Sequence, residues 1–103
     1  KLPLKFNKVS GSFDCSNNKL RSLDGFTIYY VDEDFDCSGN KLTSLKGCPK
    51  RVDKTFCCSY NNLISLTDCP AQVGDGFYCS NNKKKFTEED VESKCIVYGE
   101  IIV

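Results

Sequence analysis

Thiols and carboxylates are the side chains of this 103-residue chain most capable of chemistry, and neither comes with the partners that catalysis needs. Eight cysteines stand at positions 15, 37, 48, 57, 58, 69, 79 and 95, and the chain has no histidine. Ser-His and Cys-His nucleophile pairs are therefore unavailable. Thiols alone can hold zinc, but there is no Cys-x-x-Cys pair, and most of the cysteines are far apart in sequence. Asp34 and Asp36 alternate, so an extended backbone puts both carboxylates on one side, yet nothing in the sequence implies a closed pocket to tune them. "VGDGFYCS" has the glycines of a phosphate loop without the helix or the lysine such a loop requires. The expectation is a chain that is not an enzyme and uses no cofactor and no metal.

The elements that position these groups are written as a repeat. "FDCSNNKLRSL" starts at Phe13, "FDCSGNKLTSL" at Phe35, "FCCSYNNLISL" at Phe56 and a degraded "FYCSNNKKKFT" at Phe77, so the copies lie 22, 21 and 21 residues apart. A fixed period of this length is the signature of a solenoid. The columns are Cys15, Cys37, Cys58 and Cys79, then Asn18, Asn40, Asn61 and Asn82, then Leu20, Leu42 and Leu63, then Leu23, Leu45 and Leu66; Lys84 and Thr87 break the leucine columns in the fourth copy. Val9, Val31, Val52 and Val73 precede the phenylalanines by four residues. Phe-x-Cys alternation points both side chains to one side of a short strand, and equivalent strands of successive turns pair in a parallel sheet. Asparagine then turns the chain and satisfies backbone groups at the corner. Valine, phenylalanine, cysteine and the two leucines make one apolar column that no single turn encloses alone.

The pattern resembles the leucine-rich repeat, L-x-x-L-x-L-x-x-N-x-L, with Phe and Cys in two leucine slots. The return legs "LKGCPKRV" and "LTDCPAQV" are similar to those of short repeats in small proteins of bacteria and tailed phages, over about residues 9–86. The first leg, "LDGFTIYYV", departs: it has no proline and one extra residue, Phe26 takes the column of Cys48 and Cys69, and Tyr29 or Tyr30 bulges. The resemblance implies a right-handed α/β-type solenoid with one short parallel sheet and mostly irregular return legs, and, for a phage protein, an inhibitor or adaptor acting on a host defence or nucleic-acid-handling protein.

One domain is expected over residues 1–103: an N-terminal cap at 1–8, about four repeats at 9–86 and a C-terminal cap at 87–103. Thr87 followed by Glu88, Glu89 and Asp90 is a helix start, and the helix should run to about Lys94. "CIVYGEIIV" reads as a strand interrupted by Gly99, either part of the cap or a docking strand for a partner. Leu2, Leu4 and Phe6 are expected to cover the first coil, with an oligomer contact through the open end as the alternative.

In this frame the cysteines read as reduced core residues, since a thiol packs as a small hydrophobe and stacked, parallel side chains are poorly placed for disulfides. Cys57 is the exception, turned outward beside Cys58. Reduced thiols suit the cytoplasm, or the host cytoplasm for a phage protein. Charge is balanced at 14 basic and 14 acidic residues, which argues against nucleic acid or an anionic membrane as partner. No apolar run is long enough to span a membrane and no signal peptide is evident.

Outward strand positions would line a concave face. There Asp14, Asp34 and Asp36, with Asp32 and Glu33 nearby, form an acidic patch, Cys57 adds a thiol, and Tyr60 and Tyr78 supply aromatic anchors; such a surface suits protein recognition. Two other readings stay open. Lys46, Lys50, Arg51 and Lys54, or Lys83, Lys84 and Lys85, would serve nucleic acid, although neither group is interleaved with aromatic residues. Open coil ends would serve self-association into a structural homo-oligomer.

Overall fold

The computed structural model describes residues 7–103. The expected cap residues Leu2, Leu4 and Phe6 lie outside the described residues. The chain forms a parallel β-solenoid of about four turns with one short helix. Each turn contributes two strands of two residues, one to each of two five-stranded sheets. The first sheet stacks β1 (Lys8–Val9), β3 (Tyr30–Val31), β5 (Arg51–Val52), β7 (Gln72–Val73) and β9 (Ile96–Val97). The second stacks β2 (Phe13–Asp14), β4 (Phe35–Asp36), β6 (Phe56–Cys57), β8 (Phe77–Tyr78) and β10 (Ile101–Ile102).

The Phe-x-Cys sheet is where the alternation put it. The other sheet corrects the expectation of one sheet with irregular return legs: the valine column forms strands of its own. Its inward residue is fixed by burial, with Val31, Val52 and Val73 fully buried, and a β-branched side chain favours extended backbone there. Lys8 pairs with Tyr30, which places β1 in register with the rest of the first sheet. "CIVYGEIIV" is likewise two strands, one in each sheet, with Gly99 at the corner between them.

In-register stacking places like on like. Phe13 and Phe35 lie with ring centroids 5.5 Å apart and planes 13° apart, and Phe35 and Phe56 at 5.8 Å and 8°. Phe26 fills the irregular first leg by meeting Phe13 edge-on at 5.5 Å. Leu42, Leu45, Leu63 and Leu66 close the other side of the core. Gly47 is required at its corner: its φ is 99°, and a Cβ would collide with the backbone carbonyl of Leu23.

Asparagines follow β2, β4, β6 and β8 of the second sheet, and those after β4, β6 and β8 hold their corners by bonding across turns. Asn61 Nδ2 donates to the carbonyls of Cys37 at 3.1 Å, Cys58 at 3.1 Å and Ser59 at 3.3 Å, while its Oδ1 accepts from the N–H of Leu42 at 3.0 Å. Asn40 and Asn82 repeat this pattern one turn away. Among the described residues no buried side-chain nitrogen or oxygen lacks a partner, as a narrow core enclosing many backbone groups demands.

The fourth turn ends differently. Helix α1 (Glu88–Glu92) starts at Thr87, whose hydroxyl accepts from the N–H of Asp90 while the Asp90 carboxylate accepts from the N–H of Thr87, a reciprocal capping box. It ends at Glu92, two residues short of the expected Lys94, with Ser93 as C-cap. Val91 is its buried side chain, and Phe86 before the helix and Cys95 after it are buried as well.

Candidate binding face

Register fixes the outer surface of the second sheet. Asp14 lies opposite Asp36, Asp36 opposite Cys57, Cys57 opposite Tyr78, and Tyr78 opposite Ile102. The structure thus brings four of the six sequence-derived residues into one column, about 4.8 Å from strand to strand. Asp34 joins them from the corner before β4. Asp34, Asp36, Thr55, Cys57 and Tyr78 line an open depression of about 270 Å³ floored by Phe35. Tyr60 stands apart: it occupies the corner after β6 with φ 58° and is 61% exposed. Asn17, Gly39 and Asn81 hold the equivalent left-handed corners, so Tyr60 is a bulky residue where a small one is favoured.

The acidic end is preorganised by its own serines. Asp14 accepts from the hydroxyl of Ser16 at 2.6 Å and its N–H at 2.9 Å, bonds that hold the Asp14 carboxyl below the usual carboxylate range. Asp36 makes the same pair of bonds with Ser38. Asp34 accepts from the N–H of Thr55 at 2.9 Å. These bonds fix the carboxylates without neutralising them, so the column presents like charges on adjacent strands. At the aromatic end the Tyr78 ring lies back over Gly76, where a Cβ would stand 2.9 Å from the nearest ring carbon. Glycine there lets the ring lie close to the sheet and leaves the depression open toward Cys57.

All eight cysteines are free thiols, and Cys57 alone among them is not buried. Desolvation pushes the thiols of Cys15 and Cys69 up to about 11 and those of Cys79 and Cys95 to about 12, with Cys37, Cys48 and Cys58 also well above the ordinary range. These seven act as core hydrophobes. Among the described residues no three His, Cys, Asp or Glu side chains converge where a metal ion could sit, and no helix is long and apolar enough to cross a membrane.

The first sheet carries an outer column that the sequence reasoning did not assemble: Lys8, Tyr30, Arg51, Gln72 and Ile96. Lys8 Nζ and the Arg51 guanidinium lie 5.3 and 5.1 Å from the centre of the Tyr30 ring. This corrects the reading of Arg51 as part of an aromatic-free basic group. The Tyr30 hydroxyl donates to Asp53, which also receives Arg51 Nε at 2.9 Å. The Tyr30 bond, aided by Arg51, holds the Asp53 carboxyl below its ordinary range. The applicable signal was the alternation argument used for Phe-x-Cys, applied to the residue before each valine. Of the other lysines, Lys84 lies 3.9 Å from Asp90 and over the Phe86 ring, so it faces its own helix.

No family model matches the chain, and no curated protein or solved structure matches it significantly. Its own geometry carries the functional argument.

Proposed function

We propose that the chain is a non-enzymatic protein-binding module of the leucine-rich-repeat type, capped over its leucine columns by α1 with Phe86 and Val91, and that its partner docks on the Asp14–Asp36–Cys57–Tyr78 column. The observation that carries this reading is the depression with fixed carboxylates at one end and the Tyr78 ring at the other. A partner suited to it presents a lysine or arginine beside an apolar side chain, the cation meeting Asp34 and Asp36 and the apolar group packing on Tyr78. The hydrogen bonds that orient Asp14, Asp34 and Asp36 support the reading, because side chains already held in place lose little entropy on binding. The finer version, drawn from the resemblance to phage repeats, is an inhibitor or adaptor that acts on a host defence or nucleic-acid-handling protein in the host cytoplasm.

The test is nuclease-treated affinity capture from lysate of the natural host, with three baits beside the unaltered chain. Asp34→Lys/Asp36→Lys reverses the acidic end, Gly76→Ala displaces the Tyr78 ring, and Lys46→Glu changes charge away from the face. Loss of one protein with the first two baits and its retention with the third is the expected result. Equal capture by all four removes the column from the argument.

A further inference from the structure

The corners that follow the second sheet hold a charge that the balanced total conceals. Residues 17–21, 39–43, 60–64 and 81–85 carry Lys19, Arg21, Lys41, Lys83, Lys84 and Lys85 and not one acidic residue, although the whole chain has 14 of each sign. Backbone bonds tie these segments turn to turn. The N–H groups of Asn17 and Tyr60 reach the carbonyls of Ser38 and Ser80 at 3.0 Å, that of Gly39 reaches Ser59 at 3.1 Å, and those of Lys41 and Asn62 reach Leu20 at 2.7 Å and Leu42 at 2.9 Å. Equivalent side chains of successive corners are therefore about 4.8 Å apart. Lys84 is turned to Asp90, whereas Lys19, Arg21, Lys41, Lys83 and Lys85 are exposed and make no ion pair among the described residues.

Tyr60 stands within this ridge. Its left-handed backbone is strained for a bulky residue, its ring is 61% exposed, and among the described residues its side chain makes no hydrogen bond or ring contact. Its neighbours in the column, Gly39 and Asn81, are too small to cover a phenol ring. Strain held at an exposed side chain that the fold does not use points to a contact residue. Lys41 lies one turn before the ring and Lys83 and Lys85 one turn after it, so cations flank it on both sides. This is the interleaving of charge and aromatic that the lysine groups lack in the linear sequence.

We propose that the corner ridge binds single-stranded nucleic acid, one base stacking on the Tyr60 ring while phosphates meet Lys41 on one side and Lys83 and Lys85 on the other. The exposed amides of Asn62 and Asn81 supply donors and acceptors for base edges. Asp14 and Asp36 stand beside the first two corners and Cys57 and Tyr78 beside the third and fourth, so a polyanion is favoured at the Tyr60 end. A duplex keeps its bases paired and leaves the ring unused, and an acidic peptide would need the cations but not the ring. Tyr60 and the three lysines are not part of the Asp14–Asp36–Cys57–Tyr78 column, so the two readings fail separately.

The experiment is fluorescence anisotropy of a labelled oligouridylate or oligothymidylate of about 12 nucleotides, titrated with the full chain under reductant. The expected dissociation constant at low salt is about 1–100 µM, and the logarithm of the affinity should fall with that of salt concentration with a slope of about −2, as for three phosphate contacts. Lys41→Glu/Lys83→Glu should weaken binding by about tenfold or more and flatten the slope to about −0.7. Lys50→Glu/Lys54→Glu, the same change in net charge away from the ridge, should do neither. Tyr60→Gly should weaken binding by about 5- to 100-fold with the slope unchanged, and Tyr60→Phe should retain it. Because glycine relieves the corner, that loss is not one of folding, and circular dichroism checks this. Absence of binding at low salt up to about 1 mM protein, equal losses in the two double variants, or undiminished binding by Tyr60→Gly overturns the inference. Displacement of the oligonucleotide by poly-glutamate as readily as by unlabelled oligonucleotide also overturns it, in favour of an acidic peptide.

Discussion

Replacing Asn61 by alanine tests whether the asparagine corners hold the two sheets in register, and the structure sets the size of the effect. Asn61 is 6% exposed. Its Oδ1 receives the N–H of Leu42, whose own side chain is fully buried, so alanine strands one buried donor at a cost of about 1–3 kcal/mol. The three carbonyls that Nδ2 serves each keep another partner: Asn40 Nδ2 on Cys37, Asn82 Nδ2 on Cys58 and the N–H of Gly39 on Ser59. Their loss is therefore partial, adding about 1–2 kcal/mol together. The sum is about 2–5 kcal/mol, a large share of the 5–15 kcal/mol typical of a domain, and it should lower the melting temperature by about 10–40 °C.

Asn18→Ala is the control. Asn18 is exposed and donates to Cys15, which keeps Asn40 Nδ2, and to Ser16, so its loss should cost about 1 kcal/mol or less. Asn61→Asp adds a signature of mechanism. A carboxylate oxygen replaces the NH2 that faces three carbonyls, which raises the pKa of that group in the fold, so the variant should recover stability as pH falls and lose it as pH rises. Urea denaturation at pH 4.5 and 7.5 measures all three variants. Equal midpoints for Asn61→Ala and Asn18→Ala would refute the corner argument.

Three further outcomes are expected. A thiol reagent should modify one cysteine rapidly in the native protein and all eight after denaturation; Cys57→Ser should abolish the fast phase, and a second fast thiol would contradict the burial of the other seven. The buried thiols have folded-state pKa values raised above the unfolded range, so their contribution is complete below about pH 8.5 and is lost as pH rises toward 11–12. Urea midpoints under reductant should fall steeply above about pH 9, at about 1.4 kcal/mol per pH unit for each coupled proton, and a flat profile to pH 10.5 would count against thiols as protonated core residues. Tyr60→Gly should raise stability by about 0.5–1 kcal/mol through relief of the left-handed corner, and a thermal melt showing destabilisation would mean that the exposed ring makes contacts worth more than its strain.

The sequence made the solenoid legible because each turn solves the same packing problem with the same residues, so period and inward column could be read at Phe13, Phe35, Phe56 and Phe77 without coordinates. Asp14, Asp36, Cys57 and Tyr78 followed from alternation alone, and the register confirmed that they stack. The first sheet was harder to see because each of its strands shows a single inward residue, the valine, with no second apolar residue two positions on, so its alternation is one step long. Tyr60 was misplaced for a related reason. Its number in the repeat identifies its column, but whether that column lies on the strand or in the left-handed corner depends on the backbone angle, which Asn17, Gly39 and Asn81 hint at only when taken together.

This division between inward and outward columns also governs where the chain can change. Inward residues are copied from turn to turn because each must fit the turn above and the turn below, as the parallel rings of Phe35 and Phe56 do. Outward residues meet no such condition, and they change from Asp14 to Asp36 to Cys57 to Tyr78 on one sheet and from Lys8 to Tyr30 to Arg51 to Gln72 on the other. A coil of fixed core thus carries two linear arrays of side chains at strand spacing, one acidic and aromatic, the other basic and aromatic. In the basic array, Tyr30 is already engaged by Lys8, Arg51 and Asp53. In the acidic array, serines and backbone groups orient the carboxylates and leave their charge facing the open depression. That difference in how the charges are satisfied, rather than exposure alone, favours the second sheet as the face that meets a partner.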